Sequence, residues 1–299
     1  MKNDESAKCF FLPDRKRREE IRRHLKGMSD DVSVCRLCRS ILGADVDVYK
    51  IGRGSVNVLY VGTHHGSEHI TGALLYEFIN TLLSVESPSL FGVDRKFYMR
   101  TFTLWVIPVL NSDGAELSIN GIYDNPLRAR QERMAEDGDF LNWQANARGV
   151  DLNHNYRVGF DEYKIIESER GILPGKTLYS GEYPESEPES RALANLVRSV
   201  DFSIAVSLHS QGEEIYYFPV SSSVAGHLAK CVAEITNYTV STPSGTAKYG
   251  GFCDFTGDEL NIPSLTLEIG KGQNPLPYSE FLRCKDRIVR TLWLLPTYL

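Results

Sequence analysis

The chain has 299 residues, of which 42% are hydrophobic and 24% are charged, a composition that is ordinary for a soluble globular protein. The formal net charge of −6 argues against a protein that binds the nucleic-acid backbone, because such a protein needs a basic face. No linker rich in proline, glycine, serine or charge divides the chain. We therefore expect one domain and no nucleic-acid partner.

We expect no membrane-spanning segment in this sequence. Residues 1–6 include no apolar segment, and no later run approaches the roughly 20 apolar residues of a membrane span. Six cysteines are too few for a disulfide framework in a chain of this length, which fits a reducing compartment. We expect a cytoplasmic protein without a membrane partner, and we interpret Cys35 and Cys38, a single C-x-x-C pair, as two ordinary thiols.

The first predicted element is a short helix over residues 14–25, with a solvated charged face. We expect residues 1–44 to form an N-terminal helical extension packed on the main domain, residues 45–299. Residues 46–51 and 56–61 predict two strands joined by a tight glycine turn.

The remaining elements alternate between strands and helices. Apolar residues at the helical period predict a helix of about four turns that begins near His69 or Ile70. Continuous apolar strands imply a sheet that is covered on both faces. We predict an α/β fold with a mixed, parallel and antiparallel, central sheet and helices on both faces. Further strands are predicted at 102–108, 202–208, 215–218 and 264–267, and further helices near 187–197, at 224–235 and at 281–295.

A cluster of possible metal ligands follows the strand 56–61. His64, His65, Glu68 and His69 lie within six positions, and imidazole nitrogen and carboxylate oxygen are the ligands that Zn²⁺ takes at catalytic sites. The two-residue gap between His65 and Glu68 lets both side chains turn toward one ion. His69 should point elsewhere from inside the helix, and His64 would face the opposite side of the strand end.

Two other candidates come from distant parts of the chain. His209 and Glu268 each follow a predicted strand, as His65 does, and ligands gather beyond the carboxyl ends of strands in sheets of this kind. We therefore expect these side chains to converge, with His209 as the third metal ligand. An H-x-x-E pair alone is a weak signal, and its alternative is a histidine bonded to a backbone carbonyl.

Five motifs occur in order, and they are Gly62–Glu68, Asn111–Gly114, Arg148–Asn153, Ser207–Ser210 and Leu267–Gly270. Together they resemble the zinc carboxypeptidase family of the carboxypeptidase A type, over roughly residues 45–299. The metal ligands of carboxypeptidase A are two histidines and a glutamate. The resemblance implies that His65, Glu68 and His209 hold one zinc ion per chain. It also implies that Glu268 is the general base, which takes a proton from the attacking water and passes it to the leaving amine.

The resemblance also implies an arginine at the carbonyl oxygen and a mobile tyrosine. Family members use an arginine upstream of the Asp-Leu-Asn motif to stabilise charge on the carbonyl oxygen. Arg148 is the nearest candidate, although digestive members place that arginine where Gln144 stands here. The alternative for Arg148 is a structural ion pair. Tyr249 is the nearest counterpart of the family's mobile tyrosine, displaced by a residue or more.

Asn153-His154 departs from the family pattern. Ordinary carboxypeptidases have Asn-Arg there, and the arginine clamps the substrate's terminal carboxylate in a geometry that imidazole cannot reproduce. With this substitution, the sequence resembles the bacterial branch of the family, whose members cleave γ-D-glutamyl-diaminopimelate bonds in peptidoglycan peptides. This implies a muropeptide substrate that contacts Asn153, His154, Tyr249, Cys253 and Asp254. Asp254 would face the diaminopimelate ammonium or, alternatively, be held by backbone amides.

Two other readings stay open. The chain could be a general metallocarboxypeptidase in which Lys248 or Arg157 replaces the missing clamp. It could also be a non-catalytic peptide-binding module of the same fold. A non-catalytic module would be expected to lack a zinc ligand or the general base. All four of these residues are present in the sequence. The sequence does not define the oligomeric state.

Overall fold

An eight-stranded mixed sheet forms the centre of the fold. The structure is a computed structural model that describes residues 19, 32–84, 89–135, 138–219 and 221–299. A small separate sheet pairs β4, Ser89–Leu90, with β5, Val93–Asp94. The strands of the main sheet are β1 Val32–Arg39, β2 Asp45–Ile51, β3 Val56–Val61, β6 Phe102–Ile107, β7 Phe202–His209, β8 Glu214–Phe218, β9 Thr239–Val240 and β10 Ser264–Glu268.

Parallel pairing at the centre of the main sheet positions the site. The strand order is β1-β2-β6-β3-β7-β10-β8-β9, in which the four adjacent strands β6, β3, β7 and β10 run parallel to one another. β2 joins β6, and β8 joins β10, in the antiparallel direction. The carboxyl ends of four adjacent strands therefore meet at one edge, and the register places Glu268 directly beside His209.

Helices cover both faces of the sheet. Val58 and Tyr60 of β3 belong to the larger apolar core, whereas Leu59 and Val61 belong to a second core. Successive strand residues point to opposite faces, so the two cores lie on opposite sides of the sheet. This confirms the predicted α/β architecture and explains the continuous apolar strands. The helices are α1 His69–Ser84, α2 Arg95–Thr101, α3 Ser112–Asn120, α4 Arg128–Met134, α5 Phe160–Arg170, α6 Pro188–Ser199, α7 Ser223–Thr236, α8 Phe252–Asp254 and α9 Tyr278–Leu294.

Short turns of other helical types complete the fold. Leu152–His154, Gly245–Ala247 and Leu295–Tyr298 are 3₁₀ turns, and Phe255–Glu259 continues α8 as a π-helix. Helices α1, α7 and α9 contribute side chains to the larger core, and α6 and α8 contribute side chains to the second core. No helix in the described ranges combines the length and the apolar character needed to cross a membrane.

The N-terminal region differs from the expectation of a helical extension. β1 pairs with β2 through antiparallel bonds and closes one edge of the sheet, so Val32–Arg39 is a strand that belongs to the main domain. The predicted helix over 14–25 lies outside the described residues apart from Glu19. Cys35 and Cys38 lie on β1 and form no disulfide.

The predicted strands 46–51 and 56–61, joined by a tight glycine turn, are confirmed as β2 and β3. The two strands do not pair with each other, because β6 lies between them. The glycines of the connecting turn serve a close approach to the start of β6. A Cβ atom on Gly54 would lie 2.0 Å from the backbone of Thr101, and one on Gly52 would lie 2.4 Å from the Phe102 carbonyl oxygen. These glycines mark a backbone contact with a strand from elsewhere in the chain.

Candidate active site

The structure brings His65, Glu68 and His209 together at the carboxyl edge of the sheet. His65 Nδ1 lies 2.8 Å from Glu68 Oε1, and His209 Nδ1 lies 3.1 Å from Glu68 Oε2. One ligand atom from each residue lies within 4.8 Å of the others. Ligand atoms bound to one tetrahedral zinc ion are roughly 3 to 3.5 Å apart. Two imidazoles and one carboxylate at these separations fit Zn²⁺.

A tight contact between two loops shapes the first half of this site. Gly66 approaches Gly114 so closely that a Cβ atom on Gly66 would lie 2.4 Å from the Gly114 carbonyl group. The side chain of Asn111 donates to the carbonyl oxygens of His64 and Gln144 and accepts from the Gly114 amide. The Asn111–Gly114 motif therefore holds the loop that carries His65 and Glu68.

Asp151 orients the first histidine, a role that the sequence analysis missed. Asp151 Oδ1 accepts from His65 Nε2 at 3.1 Å and also from the Asn153 amide, and its Oδ2 accepts from the Leu178 amide. A carboxylate on the outer nitrogen fixes the tautomer of a ligating histidine and directs its other nitrogen toward the metal. Asp151 lies within the motif Arg148–Asn153. The preference of ligating histidines for a carboxylate partner could therefore have identified it from the sequence.

Opposite charges dominate the electrostatics of the ligands. Burial alone would raise the pKa of Glu68, but His65 and His209 lower it to about 2. Burial likewise opposes charge on His65, yet Glu68 and Asp151 raise the pKa of that imidazole well above its ordinary value. Because a metal ligand must give up its proton, zinc uptake here is coupled to proton release.

Glu268 lies beside the ligands at the end of β10. It lies beside His209 of β7 in the parallel pairing and beside Glu214 of β8 in the antiparallel pairing. Burial first, and then the negative charges of Glu68 and Glu214, raise the pKa of Glu268 well above its ordinary value, against the influence of His65. A half-buried carboxyl group with these neighbours has a strong affinity for a proton.

A cleft joins Glu268 to the two histidine ligands. Of the predicted site residues, it is lined by His65, His209, Glu268, Asn153, His154, Cys253 and Asp254. The sequence analysis did not predict that Tyr216, Phe218, Phe252 and Thr266 would line it as well. Among the described residues that line this cleft there is no lysine or arginine. The described lining therefore offers carboxylates, imidazoles and uncharged groups but no lysine or arginine side chain.

His154 occupies the position of the family's clamp without replacing its charge. Its ring stacks on Tyr163, with ring centroids 3.9 Å apart, and its Nδ1 donates to the Tyr249 carbonyl oxygen at 3.0 Å. Burial lowers the pKa of His154 although Asp151 opposes the shift. Burial therefore favours the uncharged imidazole, and the ring is held in the wall of the cleft.

The two residues predicted to contact the leaving group lie in α8. Asp254 Oδ2 accepts from the Gly251 amide at 3.2 Å. Burial raises the pKa of Asp254 to about 7, aided by Asp258 and opposed by the Gly251 amide. Cys253 is buried, and burial raises the pKa of its thiol to about 12, so it contributes shape and not a nucleophile.

The other predicted residues lie outside the cleft lining. Arg148 is 47% exposed and its Nη1 lies 3.6 Å from Glu187 Oε2, which is the ion pair of the alternative reading. The ring of Tyr249 lies under Lys248 Nζ, 4.5 Å from the ring centroid. Lys248 and Arg157, the replacement clamps of the carboxypeptidase reading, are exposed and do not line the cleft.

Comparison with known proteins identifies the family. The model of the zinc carboxypeptidase family, Peptidase_M14, matches residues 19–292. The chain therefore belongs to the zinc carboxypeptidase family. Membership makes it a metallopeptidase by class, with one zinc ion as its cofactor, and His65, Glu68 and His209 are the residues that fit this ion.

Individual relatives agree with this assignment. The chain is 30% identical over 248 residues to gamma-D-glutamyl-L-diamino acid endopeptidase 1 of Lysinibacillus sphaericus, covering 81% of this chain and 61% of that protein. It is 29% identical over 139 residues to murein peptide amidase A of Escherichia coli K12, covering 44% of this chain and 53% of the relative. The fold matches carboxypeptidase A from Helicoverpa armigera with a TM-score of 0.72 at 16% identity, over 96% of this chain and 73% of that one.

Proposed function

We propose that this chain is a zinc-dependent peptidase that hydrolyses an amide bond in short peptidoglycan peptides, with the γ-D-glutamyl-diaminopimelate bond as its target. The observation that carries the proposal is the chemistry of the cleft. The ligand histidines and Glu268 line it, and its described lining contains no lysine or arginine to clamp a terminal carboxylate. The names of the endopeptidase and the murein peptide amidase support the same substrate class.

Glu268 is the general base of the proposed reaction. Its raised pKa makes the ionised carboxylate a strong proton acceptor. One of its carboxylate oxygens takes a proton from the attacking water and later passes that proton to the leaving amine nitrogen. When bound, zinc supplies a Lewis acid that polarises the scissile carbonyl group and a positive charge that favours ionised carboxylates nearby. Asp151 keeps the His65 ring in place throughout.

Asp254 gives the cleft a preference for a cationic leaving residue. A diamino acid carries an ammonium group on its side chain. The pKa of the Asp254 carboxyl group is raised to about 7, and a cation that approaches this group stabilises its ionised form. The neutral His154 offers no bidentate partner for a terminal carboxylate. The proposed selectivity is therefore for the ammonium of the leaving residue.

The test compares peptides on the zinc-loaded protein. The muropeptide tripeptide L-Ala-γ-D-Glu-diaminopimelate is incubated in parallel with a standard α-linked peptide whose C-terminus is free or blocked, and products are identified by mass spectrometry. We expect release of diaminopimelate from the first peptide. Release only from the standard peptide with a free C-terminus would establish the general carboxypeptidase reading. Cleavage of neither peptide by protein with one bound zinc ion would establish the non-catalytic reading.

A matched pair of variants tests the role of Asp254. Asp254→Asn removes the carboxylate that lines the cleft, whereas Asp258→Asn removes an exposed carboxylate from the same helical segment. We expect KM for the tripeptide to rise by about tenfold in the first variant, the size of one charge-assisted hydrogen bond, and to stay within twofold in the second. Equal KM values in both variants would remove Asp254 from substrate binding.

A further inference from the structure

The two histidines of the metal site are held in different ways. The outer nitrogen of His65 donates to Asp151. The outer nitrogen of His209, Nε2, is buried and has no hydrogen-bond partner among the described residues. A ligating histidine usually gives its outer N–H to a carboxylate, a carbonyl oxygen or water, which fixes the plane of the ring. The plane of His209 must therefore be fixed in another way.

The ring of His64 lies against the ring of His209. Their centroids are 5.4 Å apart and their planes differ by 23°. His64 is fully buried and also contacts Phe252, with ring centroids 5.4 Å apart. His209 thus lies against a flat, closely packed surface in place of a hydrogen-bond acceptor.

Two hydroxyl groups anchor His64 itself. Its Nε2 lies 3.2 Å from Tyr156 Oη, and its Nδ1 lies 3.2 Å from Ser207 Oγ. A hydroxyl group can donate or accept, so both ring nitrogens are satisfied while the imidazole is neutral. Ser207 belongs to β7, the strand that also ends in His209, so His64 is tied to the strand whose ligand it contacts.

We propose that His64 is a positioning residue for the zinc ligand His209, and that the face of its ring sets the plane of the His209 imidazole and hence the direction of Nδ1. Asp151 fixes His65 through a hydrogen bond, and His64 fixes His209 through a ring contact. The proposal concerns the zinc site and does not depend on the identity of the substrate.

The alternative is that His64 only fills space in the core. The two accounts differ in zinc affinity, because a space-filling residue affects the free energy of unfolding without altering the geometry of a neighbouring ligand. Two variants separate the ring from its nitrogens. His64→Phe keeps an aromatic face and loses both hydrogen bonds, whereas His64→Gln keeps a polar group and loses the ring.

A third variant, His69→Gln, serves as the matched control. His69 is a buried histidine of the same stretch, and its Nε2 lies 3.0 Å from Ser118 Oγ. It is not one of the three residues that fit the zinc ion. Its replacement should change stability without changing the metal site.

The experiment measures the zinc dissociation constant of the full chain by competition with a chromogenic chelator. The absorption spectrum of the Co²⁺-substituted protein reports ligand geometry, and urea unfolding of the metal-free protein reports stability. We expect His64→Gln to weaken zinc binding by about 10-fold to 100-fold, the usual effect of losing a group that orients a ligand, and to shift the Co²⁺ spectrum. His64→Phe should stay within about threefold of the original protein, as should His69→Gln.

Three outcomes would overturn the proposal. The first is unchanged zinc affinity in His64→Gln. The second is equal weakening in His64→Gln and His64→Phe, which would assign the effect to the hydrogen bonds. The third is equal weakening in His69→Gln, which would assign it to general loss of packing. None of these readouts uses a peptide, so they are independent of the proposed substrate.

Discussion

Glu189 gives a prediction of pH-dependent stability that follows from its burial. It lies in the first turn of α6 and is fully buried. Its Oε1 accepts from the Ile41 amide at 3.4 Å, and its Oε2 is buried without a partner among the described residues. Burial, reinforced by the negative charges of Asp113 and Glu187, raises the pKa of this carboxyl group from 4.5 to about 8.

The sign and size of the effect follow from proton linkage. Between pH 4.5 and about 8 the folded chain binds a proton at Glu189 that the unfolded chain has lost, so stability falls as pH rises through this window. The contribution is fully present below pH 4.5 and lost above about pH 8. Each pKa unit is worth about 1.4 kcal/mol, which makes the cost above pH 8 at most about 5 kcal/mol.

The variant Glu189→Gln removes this dependence, because an amide keeps an oxygen for the Ile41 amide and carries no charge. We expect urea unfolding to show a change below about 1 kcal/mol at pH 5 and a stabilisation of about 2 to 5 kcal/mol at pH 9. Glu162→Gln, which removes an exposed carboxylate from α5, controls for net charge and should show neither effect. The same difference at both pH values, or a destabilised variant at pH 9, would refute the reasoning.

Three further predictions concern the metal site and its surroundings. Asp151→Ala should weaken zinc binding by about 10-fold to 100-fold in chelator competition, because the His65 ring loses its acceptor; an unchanged dissociation constant would contradict this role. Removal of zinc by a chelator should lower the midpoint of thermal unfolding, since ligand at 100 times its dissociation constant stabilises the folded state by about 2.7 kcal/mol, and identical midpoints would contradict binding at a folded site. Arg148→Gln should leave kcat within about threefold, because its half-exposed guanidinium pairs with Glu187, whereas a loss of about 100-fold or more would restore the predicted role at the carbonyl oxygen.

The sequence was sufficient for the architecture because apolar periodicity records burial directly. Continuous apolar strands predicted a sheet covered on both faces, and the position of His65, His209 and Glu268 after strands predicted that they meet at one edge. The parallel register of β7 and β10 places two of them side by side. These statements depend on local patterns and on one general property of parallel sheets.

Strand pairing was harder to predict because it depends on distant segments. The glycine turn between β2 and β3 has the composition of a hairpin, yet β6 is inserted between the two strands. Burial alternates over the first four residues of the strand Val32–Arg39, yet we expected this region to be part of a helical extension. No local pattern reveals which strand will occupy an edge or be inserted between neighbours in sequence.

The chemistry of the cleft was only partly predictable. The residue types at 153, 154, 253 and 254 indicated the lining, but the charge of His154 depends on its burial against Tyr163, which spacing does not show. The roles of Asp151 and His64 likewise depend on contacts across more than 80 positions in the chain. The family resemblance indicated the metal ligands. The groups that orient these ligands could be identified only from the contacts in the structure.

The most direct test of the central claim is the activity of the variant Glu268→Gln loaded with zinc, measured on the tripeptide L-Ala-γ-D-Glu-diaminopimelate. Elemental analysis establishes that the original protein and the variant each hold one zinc ion per chain. If Glu268 is the base, kcat/KM should fall by about 100-fold to 10,000-fold, the usual contribution of general base catalysis, while zinc content stays the same. Cleavage at the original rate by the zinc-loaded variant would contradict the mechanism.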